Sequence, residues 1–230
     1  MKHILIIDHT AALGGAEYSL ESLVKSMDSN RYQYTVALPG PGPFADRLKN
    51  IGIQVNFVRL ESWRWWVRTQ KQLFKFFITL PYQVISLFRW ILYLKNTKPD
   101  IVHLNINRLI EPVIASRILR IPNVMHFRDI PSRIDSHFIL GMPVFYKIMK
   151  LADVWIANSE ATYNDIKKKF NKNLFLVPNG IDLDLFDRLA GINSNVNKCE
   201  NSKIKIAMVA LLVPWKNHMG LLKLASIVTK

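Results

Sequence analysis

The chain repeats one pattern: a short run of β-branched or other apolar residues, followed by a segment with helical periodicity. Most of these runs lack the alternation of apolar and polar residues seen when one face of a strand is in water, which indicates strands covered on both faces. Helix-like segments between such strands predict a parallel sheet with helical crossover connections. The predicted strands are residues 4–7, 34–38, 53–58, 101–104, 123–127, 154–157, 174–177 and 204–211.

A stretch rich in Asn and Ser, residues 191–203, interrupts this pattern and is typical of a linker. We therefore predict a Rossmann-like α/β domain over residues 1–190, with helices on both faces of its parallel sheet. Residues 204–230 contain one predicted strand and one predicted helix, and a single βα pair cannot bury its own apolar faces. The pair either docks onto the first domain or, as we favour, forms the start of a second domain that is incomplete in this chain.

Composition limits the classes of protein. Half of the residues are apolar, so the chain can bury a sizeable core. Cys199 is the only cysteine, which excludes a disulfide within the chain and fits a reducing compartment. The apolar run before Asp8 is too short for a signal peptide. We therefore expect a cytoplasmic protein.

The net charge of +14 at pH 7 indicates an anionic partner. Nucleic acid, anionic lipid and phosphorylated small molecules all satisfy that requirement. The sequence has no recognition-helix motif, zinc-ligand spacing or single-strand platform motif, so specific binding of nucleic acid is not expected.

Polar residues follow the predicted strands, at the ends that meet along one edge of a parallel sheet, where ligands bind in folds of this class. Gly14 and Gly15 come after the first strand. Paired glycines at a helix start either make a tight turn or let a phosphate approach the backbone N–H groups, and the GxGxxG fingerprint of dinucleotide sites is absent. The other candidates for a cleft at this edge are Asn105, His126, Arg128, Asp129, Asn158, Ser159, Glu160, Asn179, Gly180 and Asp182.

Several of these residues also have structural interpretations. Ser159 fits a helix N-cap with Glu160 in the first turn, and Asn179–Gly180 is a common turn dipeptide. His103, inside a predicted strand, fits a hydrogen-bonded core histidine. His126 lies near a strand end with a charged Arg-Asp pair just beyond it, which favours a functional role.

Six motifs follow one another across nearly the whole chain: GGAE after the first strand, KPDIVHLN (98–105), HFRD (126–129), ADVWIANSEAT (152–162), VPNGIDLDLF (177–186) and VALLVPWKNHMGLL (209–222). Their order and spacing resemble the family-4 nucleotide-sugar glycosyltransferases. Members of that family have two facing Rossmann-like domains, the GT-B fold, and retain the anomeric configuration of the sugar that they transfer. The first five motifs are similar to the N-terminal domain of the family, and the sixth is similar to the start of its second domain.

The resemblance implies transfer of a sugar from a nucleotide-sugar donor to a lipid-linked or polysaccharide acceptor. It places the Gly14–Gly15 loop against the donor diphosphate and the acceptor, and it places the catalytic candidate, His126, near the transferred sugar. Lys216 matches the family's lysine that neutralises the donor phosphates. The resemblance implies no metal or other cofactor, and it assigns the passage towards the interdomain hinge to Asn179, Gly180 and Asp182.

Two departures from the family pattern bear on activity. Leu211 stands where members carry an arginine shortly before the phosphate-binding lysine. The family's acidic motif, two glutamates that contact the donor, lies further into the second domain than Lys230. The resemblance therefore implies that the isolated chain is inactive. The alternatives are a catalytically silent, membrane-associated binding module and one half of a two-chain glycosyltransferase.

Residues 61–98 form a basic and aromatic segment. Its tryptophans suit a membrane interface, and its basic residues at helical spacing suit anionic headgroups. We therefore predict a peripheral protein at the inner face of the membrane. The residues expected to contact an anionic membrane surface are Arg64, Trp65, Trp66, Arg68, Lys71 and Lys75.

The same segment has two other interpretations. Residues 76–94 approach the length of a membrane-spanning helix, but Pro81 interrupts the run and Arg89 inside it would cost about 2.5–3.5 kcal/mol. We therefore expect no span. The segment also fits an ordinary helical hairpin that is broken at Pro81 and packed on the domain with its basic face in water.

Overall fold

The computed structural model describes residues 1–67, 74–131, 137–170, 173–181, 183, 187–188, 206–210, 212 and 216–228. They belong to two units, Met1–Asp182 and Leu183–Lys230. The predicted domain boundary at residue 190 and the predicted linker, residues 191–203, lie outside the described residues.

The elements of the first unit alternate between strands and helices along the chain, as the sequence pattern predicts. In chain order they are β1 (Lys2–Ile7), α1 (Gly15–Ser26), β2 (Tyr32–Leu38), α2 (Pro43–Asn50), β3 (Gln54–Phe57), a 3-10 turn (Ser62–Trp65), β4 (Trp66–Val67), α3 (Phe74–Thr97), β5 (Ile101–Leu104), α4 (Ile110–Ile118), β6 (Asn123–Phe127), β7 (His137–Phe138), α5 (Met142–Met149), β8 (Val154–Ala157), α6 (Glu160–Ile166) and β9 (Leu174–Leu176).

Seven of these strands form one sheet in the order β3-β2-β1-β5-β6-β8-β9, and every neighbouring pair is parallel. Ile4 and Ile6 of β1 pack on one face with α1 and α2. Leu5 and Ile7 pack on the other face with α3, α4, α5 and α6. The alternation explains why the strand is apolar throughout, because both of its faces are covered. The predicted Rossmann-like parallel sheet with helices on both faces is confirmed.

The second unit contains α7 (His218–Val228). The strand predicted over residues 204–211 is wrong where the structure describes it, because residues 206–210 have no regular secondary structure and are exposed. A β-strand needs a neighbouring strand to accept and donate its backbone hydrogen bonds. The part of the second unit that the structure describes offers no such neighbour.

The predicted membrane-contact helix is wrong at its start. Residues 62–65 form a 3-10 turn, and Trp66–Val67 forms the strand β4, which pairs antiparallel with β7 so that Trp66 lies opposite Phe138. Trp65 is buried, and its ring stacks on Phe138 with 5.4 Å between centroids. Its Nε1 donates to Glu111 Oε1 at 3.2 Å.

Trp66 is partly buried and lies edge-on to Phe138 and Phe145, and the Arg108 guanidinium sits 5.3 Å from the centroid of its ring. Trp65 and Trp66 therefore belong to the protein core and not to a membrane surface. The prediction failed because an aromatic cluster satisfies either environment, and the aromatic partners come much later in the chain. Arg68, Lys71 and the side chains of Arg64 and Lys75 lie outside the described residues.

Helix α3 continues through Pro81, so the predicted break is also wrong. A proline removes the hydrogen bond to the carbonyl four residues earlier, here that of Phe77. Phe77 is 72% exposed, so water can replace the lost bond. Within the described chain, one segment, Phe76–Thr97, is long enough and apolar enough to cross a membrane. Its mean hydropathy is 1.3, and 22% of the tested window is buried inside the protein. Core helices of soluble proteins pass the same test.

Candidate functional site

The carboxyl ends of β1, β5, β6 and β8 bring the predicted polar residues together at one edge of the sheet. Backbone hydrogen bonds continue past the strand ends and hold these residues in place. Asn105 N donates to Ile7 O at 2.9 Å, and Asn158 N donates to Phe127 O at 3.3 Å. The order of the strands therefore places residues that are far apart in sequence along one rim, as predicted.

The Arg128 guanidinium lies at the centre of this rim. Its Nε and Nη2 donate to Asn105 Oδ1 at 3.0 and 2.7 Å. Its Nη1 donates to Ser19 Oγ at 2.8 Å and to Asn179 Oδ1 at 3.1 Å. One side chain thus joins the end of β5, the helix α1 and the loop after β9. These hydrogen-bond partners are all neutral.

Asp8 extends this hydrogen-bonded arrangement through Asn105. It is buried at the end of β1, and its Oδ2 accepts a hydrogen bond from Asn105 Nδ2. Its Oδ1 accepts from His9 N at 2.6 Å and lies 2.9 Å from His9 Nδ1. Because the Asn105 amide nitrogen faces a carboxylate, its carbonyl oxygen faces Arg128. Asp8, Asn105 and Arg128 therefore form a hydrogen-bonded series, which we call the rim series.

The start of α1 lies open beside the rim series. A Cβ added at Gly15 would meet nothing within 4 Å, and one added at Gly14 would lie 2.7 Å from Glu17 Oε2. Open space therefore lies beside Gly15, whereas the Glu17 carboxyl group lies against Gly14. Gly14 has extended backbone, with φ of −155°, so it does not serve a left-handed turn. Glu17 is buried in the first turn of α1; burial raises its pKa, and the nearby Asp8 carboxylate raises it further.

His126 is buried at the end of β6, and neither of its ring nitrogens has a hydrogen-bond partner among the described residues. Burial lowers the pKa of His126 to about 2, and the charges of Arg128 and His103 act in the same direction. The ring is therefore neutral at pH 7. A neutral imidazole has one nitrogen that donates a hydrogen bond and one that accepts it.

His103 lies next to His126, with 5.8 Å between the ring centroids. It is a buried histidine, as expected, and burial lowers its pKa to about 4. The expectation that it is hydrogen-bonded is wrong for its Nε2, which has no partner in the described part of the chain.

These two histidines make the fold acid-sensitive. Below pH 6.5 the unfolded chain takes up a proton on each of them, whereas the folded chain holds both rings neutral until the pH approaches about 4 for His103 and about 2 for His126. The free energy of unfolding should therefore fall as the pH drops below 6.5, by up to about 1.4 kcal/mol per pH unit for each histidine. Urea denaturation between pH 7.5 and 5 measures this slope. His103→Asn should make the slope shallower by the contribution of one proton, up to about 1.4 kcal/mol per pH unit. An unchanged slope would contradict the lowered pKa of His103.

Four of the predicted cleft residues line one pocket. His126, Arg128, Asn179 and Gly180 surround a space of about 140 Å³ together with Ser19 and other residues of α1. Sites that enclose a whole small-molecule ligand usually measure about 300–1,000 Å³. The pocket therefore suits a phosphate or one sugar ring and not a complete nucleotide sugar.

Other predicted residues support the rim without lining the pocket. Asn158 Nδ2 donates to Arg128 O at 3.3 Å. Ser159 Oγ accepts from Thr162 N at 3.2 Å, which confirms the N-cap interpretation. Glu160 is exposed in the first turn of α6.

Three candidates remain. Asp129 pairs with Arg108 at 3.7 Å. Lys216 is exposed in the second unit. Asp182 lies outside the described residues.

Sequence reasoning missed three residues of the site: Asp8, Glu17 and Ser19. Asp8 directly follows the first apolar strand, which is the signal that identified the other rim residues. Glu17 and Ser19 follow the glycine pair within one helical turn. Glu17 lies three residues after Gly14 and Ser19 lies four residues after Gly15, which are the spacings at which helical residues share a face, so helical periodicity could have found both.

Asp8, His9 and Glu17 place ligand atoms within 4.8 Å of one another, close enough to share a cation. Both oxygens of Asp8 already accept hydrogen bonds, from His9 and Asn105. The burial that raises the pKa of Glu17 also works against its charged form. The prediction that the protein needs no metal therefore stands as a prediction.

Several solved structures share this fold. HepE of Anabaena in complex with UDP and glucose is 23% identical, with a TM-score of 0.60 over 80% of this chain and 46% of that one. A glycosyltransferase from Rickettsia africae is 15% identical, with a TM-score of 0.55 over 82% of this chain and 45% of that one. The apo form of WaaB, a lipopolysaccharide outer core galactosyltransferase, is 11% identical, with a TM-score of 0.51 over 79% of this chain and 46% of that one.

The chain thus spans about half the length of the solved structures that it resembles. No curated protein sequence matches it. The family model for Glycosyltransferase Family 4 matches residues 13–185, which is most of the chain and includes the glycine pair, Asn105, Arg128 and the pocket. The similarity of motifs, the parallel sheet and this match agree, and the chain belongs to Glycosyltransferase Family 4.

Proposed function

We propose that the chain carries the acceptor side of a retaining glycosyltransferase, which moves a sugar from a nucleotide-sugar donor to a lipid-linked or polysaccharide acceptor. The observation that carries this proposal is the pocket lined by Arg128 and His126. Arg128 is positively charged, and its hydrogen bonds go to neutral groups. Such a site attracts an anionic ligand, and the phosphates of a nucleotide sugar have the required charge.

The neighbouring groups have matching roles. The open backbone at Gly15 lets a phosphate approach the start of α1, where the N–H groups and the helix dipole favour negative charge. His126 stays neutral, so it acts as a hydrogen-bond donor or acceptor to a sugar hydroxyl and not as a proton donor. Lys216 supplies a further positive charge to the donor phosphates in this proposal. No metal or other cofactor takes part.

The choice of donor is guided by HepE, a protein of similar fold. HepE was crystallised with UDP and glucose and also with UDP-glucose, so UDP-sugars are the first donors to test. The reaction takes place in the cytoplasm, where nucleotide sugars are available, as the single cysteine also suggests.

The test is a transfer assay with the protein isolated intact from its own source. Radiolabelled nucleotide sugars are offered with a membrane-lipid extract or with polysaccharide, and label in the acceptor is counted. His126→Ala should lower the transfer rate by about 100-fold, the loss expected when one preorganised hydrogen-bonding group is removed. Proton NMR of the product should show a retained anomeric configuration.

His3→Ala is the matched control, because His3 lies at the opposite end of β1 and bonds Thr35 Oγ1. Its transfer rate should stay near that of the wild type. Equal losses in both variants would exclude the proposed role of the pocket. Absence of transfer from every nucleotide sugar to both acceptor classes would overturn the proposed function.

A further inference from the structure

We propose that the outer face of α3 is a docking surface for an anionic lipid bilayer. Six large apolar side chains on this helix are between 50% and 72% exposed. We call this set the outer face. It consists of Phe77, Ile78, Tyr82, Ile85, Phe88 and Leu92.

Helical spacing places these residues on one side of α3. Ile78, Ile85 and Leu92 recur every seven residues, which is close to two helical turns, and the others flank them. The opposite side of the helix packs against the core through Trp90 and Leu94, which are 1% and 0% exposed. The helix therefore has two apolar sides, and only one of them is used by the fold.

An apolar surface of this kind needs a partner. Soluble monomers rarely leave a contiguous apolar patch along the whole length of a helix, and such patches mark interaction sites. The outer face is a narrow ridge and not a concave groove, since it lies on a single convex helix. A flat, deformable apolar phase such as a bilayer interface fits a ridge without needing a complementary shape.

Charge favours a lipid partner over a second copy of the chain. The sequence of α3 contains three basic residues and no acidic one. Lys95 is exposed one turn beyond Leu92, and Arg89 on the other flank donates to Arg59 O at 3.3 Å. Two such faces brought together would repel each other, whereas anionic headgroups would attract them.

The contacts of the inner side keep α3 from crossing the bilayer. Trp90 packs in the core, and Asn56 Nδ2 of β3 donates to Tyr93 Oη at 2.9 Å. Spanning would remove both the packing and this hydrogen bond, and it would take Arg89 into the hydrocarbon core. The helix therefore lies in the plane of the interface, with the outer face in the acyl boundary and the flanking cations at the headgroups.

This surface differs from the one predicted from the sequence. The tryptophans expected to touch lipid are core residues, and the exposed apolar residues lie further along the same segment. The inference also goes beyond the proposed function, because binding to lipid needs no sugar transfer. The two proposals can therefore fail separately.

The experiment is co-sedimentation of the full 230-residue chain with vesicles. One set is phosphatidylcholine with a quarter phosphatidylglycerol, and the other set is phosphatidylcholine alone. The wild-type chain should sediment with the anionic vesicles and at least about tenfold less with the neutral ones. The triple variant Ile85→Ser, Phe88→Ser, Leu92→Ser should lower binding to anionic vesicles by at least about tenfold.

Phe175→Ser is the matched control. Phe175 is 55% exposed, close to the 61% of Phe88, but it lies on β9 at the far edge of the sheet. It should bind anionic vesicles like the wild type. Far-ultraviolet circular dichroism should show that all variants are folded.

Three results would overturn the inference. The first is a wild-type chain that does not sediment with anionic vesicles. The second is an equal loss of binding in the triple variant and in Phe175→Ser. The third is a dimer in light scattering that the triple variant abolishes, which would make the outer face a contact between copies of the chain.

Discussion

Replacing Arg128 with methionine is expected to lower the free energy of unfolding by about 2–4 kcal/mol. Arg128 donates hydrogen bonds to Asn105, Ser19 and Asn179, and methionine supplies none. The Asn105 side chain is fully buried, so its carbonyl oxygen would lose its donor away from water. The carboxylates of Asp8 and Glu17 would also lose a nearby positive charge.

Urea denaturation at pH 7 measures this loss. Arg117→Met is the matched control, because Arg117 is 63% exposed and its Nη1 lies 3.9 Å from Asp153 Oδ1, so its loss should cost under about 0.5 kcal/mol. Arg128→Lys should fall between the two, since lysine keeps the charge but not the planar fork that binds Asn105. Equal stability of Arg128→Met and Arg117→Met would show that the rim series does not hold the site together.

Replacing Trp65 with alanine is expected to lower the free energy of unfolding by about 3–5 kcal/mol. Trp65 is buried, stacks on Phe138 and donates to Glu111 Oε1, so alanine would leave a cavity and remove the donor of that oxygen. Burial raises the pKa of Glu111, and the hydrogen bonds that Glu111 accepts from Ser62 and Trp65 partly offset this rise. A tryptophan that contacted lipid would contribute little to stability in water.

Urea denaturation at pH 7 also measures the loss of stability in Trp65→Ala, and Phe88→Ser is the control variant. Phe88 is 61% exposed on α3, so its replacement should change stability by no more than about 0.5 kcal/mol. Vesicle binding should respond in the reverse way, falling for Phe88→Ser and not for a folded Trp65 variant. A stable Trp65→Ala protein that no longer binds vesicles would restore the original membrane assignment of the tryptophans.

Sequence patterns predicted the sheet well because its strands are covered on both faces. Residues 101–104, 123–127 and 154–157 form strands at the bounds predicted for them. Each is a short apolar run closed by polar residues, and a parallel strand between two helical layers requires that composition. The rim could be predicted for the same reason, since parallel strands end at one edge.

The segment after β3 could not be predicted in the same way. Its aromatic residues satisfy both a core and a membrane interface, and the decision depends on Phe138 and Phe145, which the fold brings to Trp65 and Trp66. Local sequence carries no information about those partners. The predicted break at Pro81 was wrong for a related reason. The free energy that a proline costs a helix depends on whether the carbonyl that loses its hydrogen bond faces water.

The rim series shows a similar limit. Asn105 and Arg128 were identified by their positions after strands, but Asp8 was not, although it follows a strand as they do. The reason that Asp8 matters is its hydrogen bond to Asn105, which depends on β1 and β5 being neighbours in the sheet. Strand order is a property of the whole fold, and no local pattern specifies it.

Hydrogen–deuterium exchange tests most directly the claim that substrates bind at the carboxyl edge of the sheet. The complete protein is exchanged with and without the nucleotide sugar that supports transfer. We predict slower exchange in peptides that contain Gly14 and Gly15, residues 126–129 and residues 177–180. A depression of about 500 Å³ at the opposite edge, lined by Arg117, Arg120 and Asn123 among others, offers a built-in comparison. Protection there, with unchanged exchange at the rim, would contradict the account.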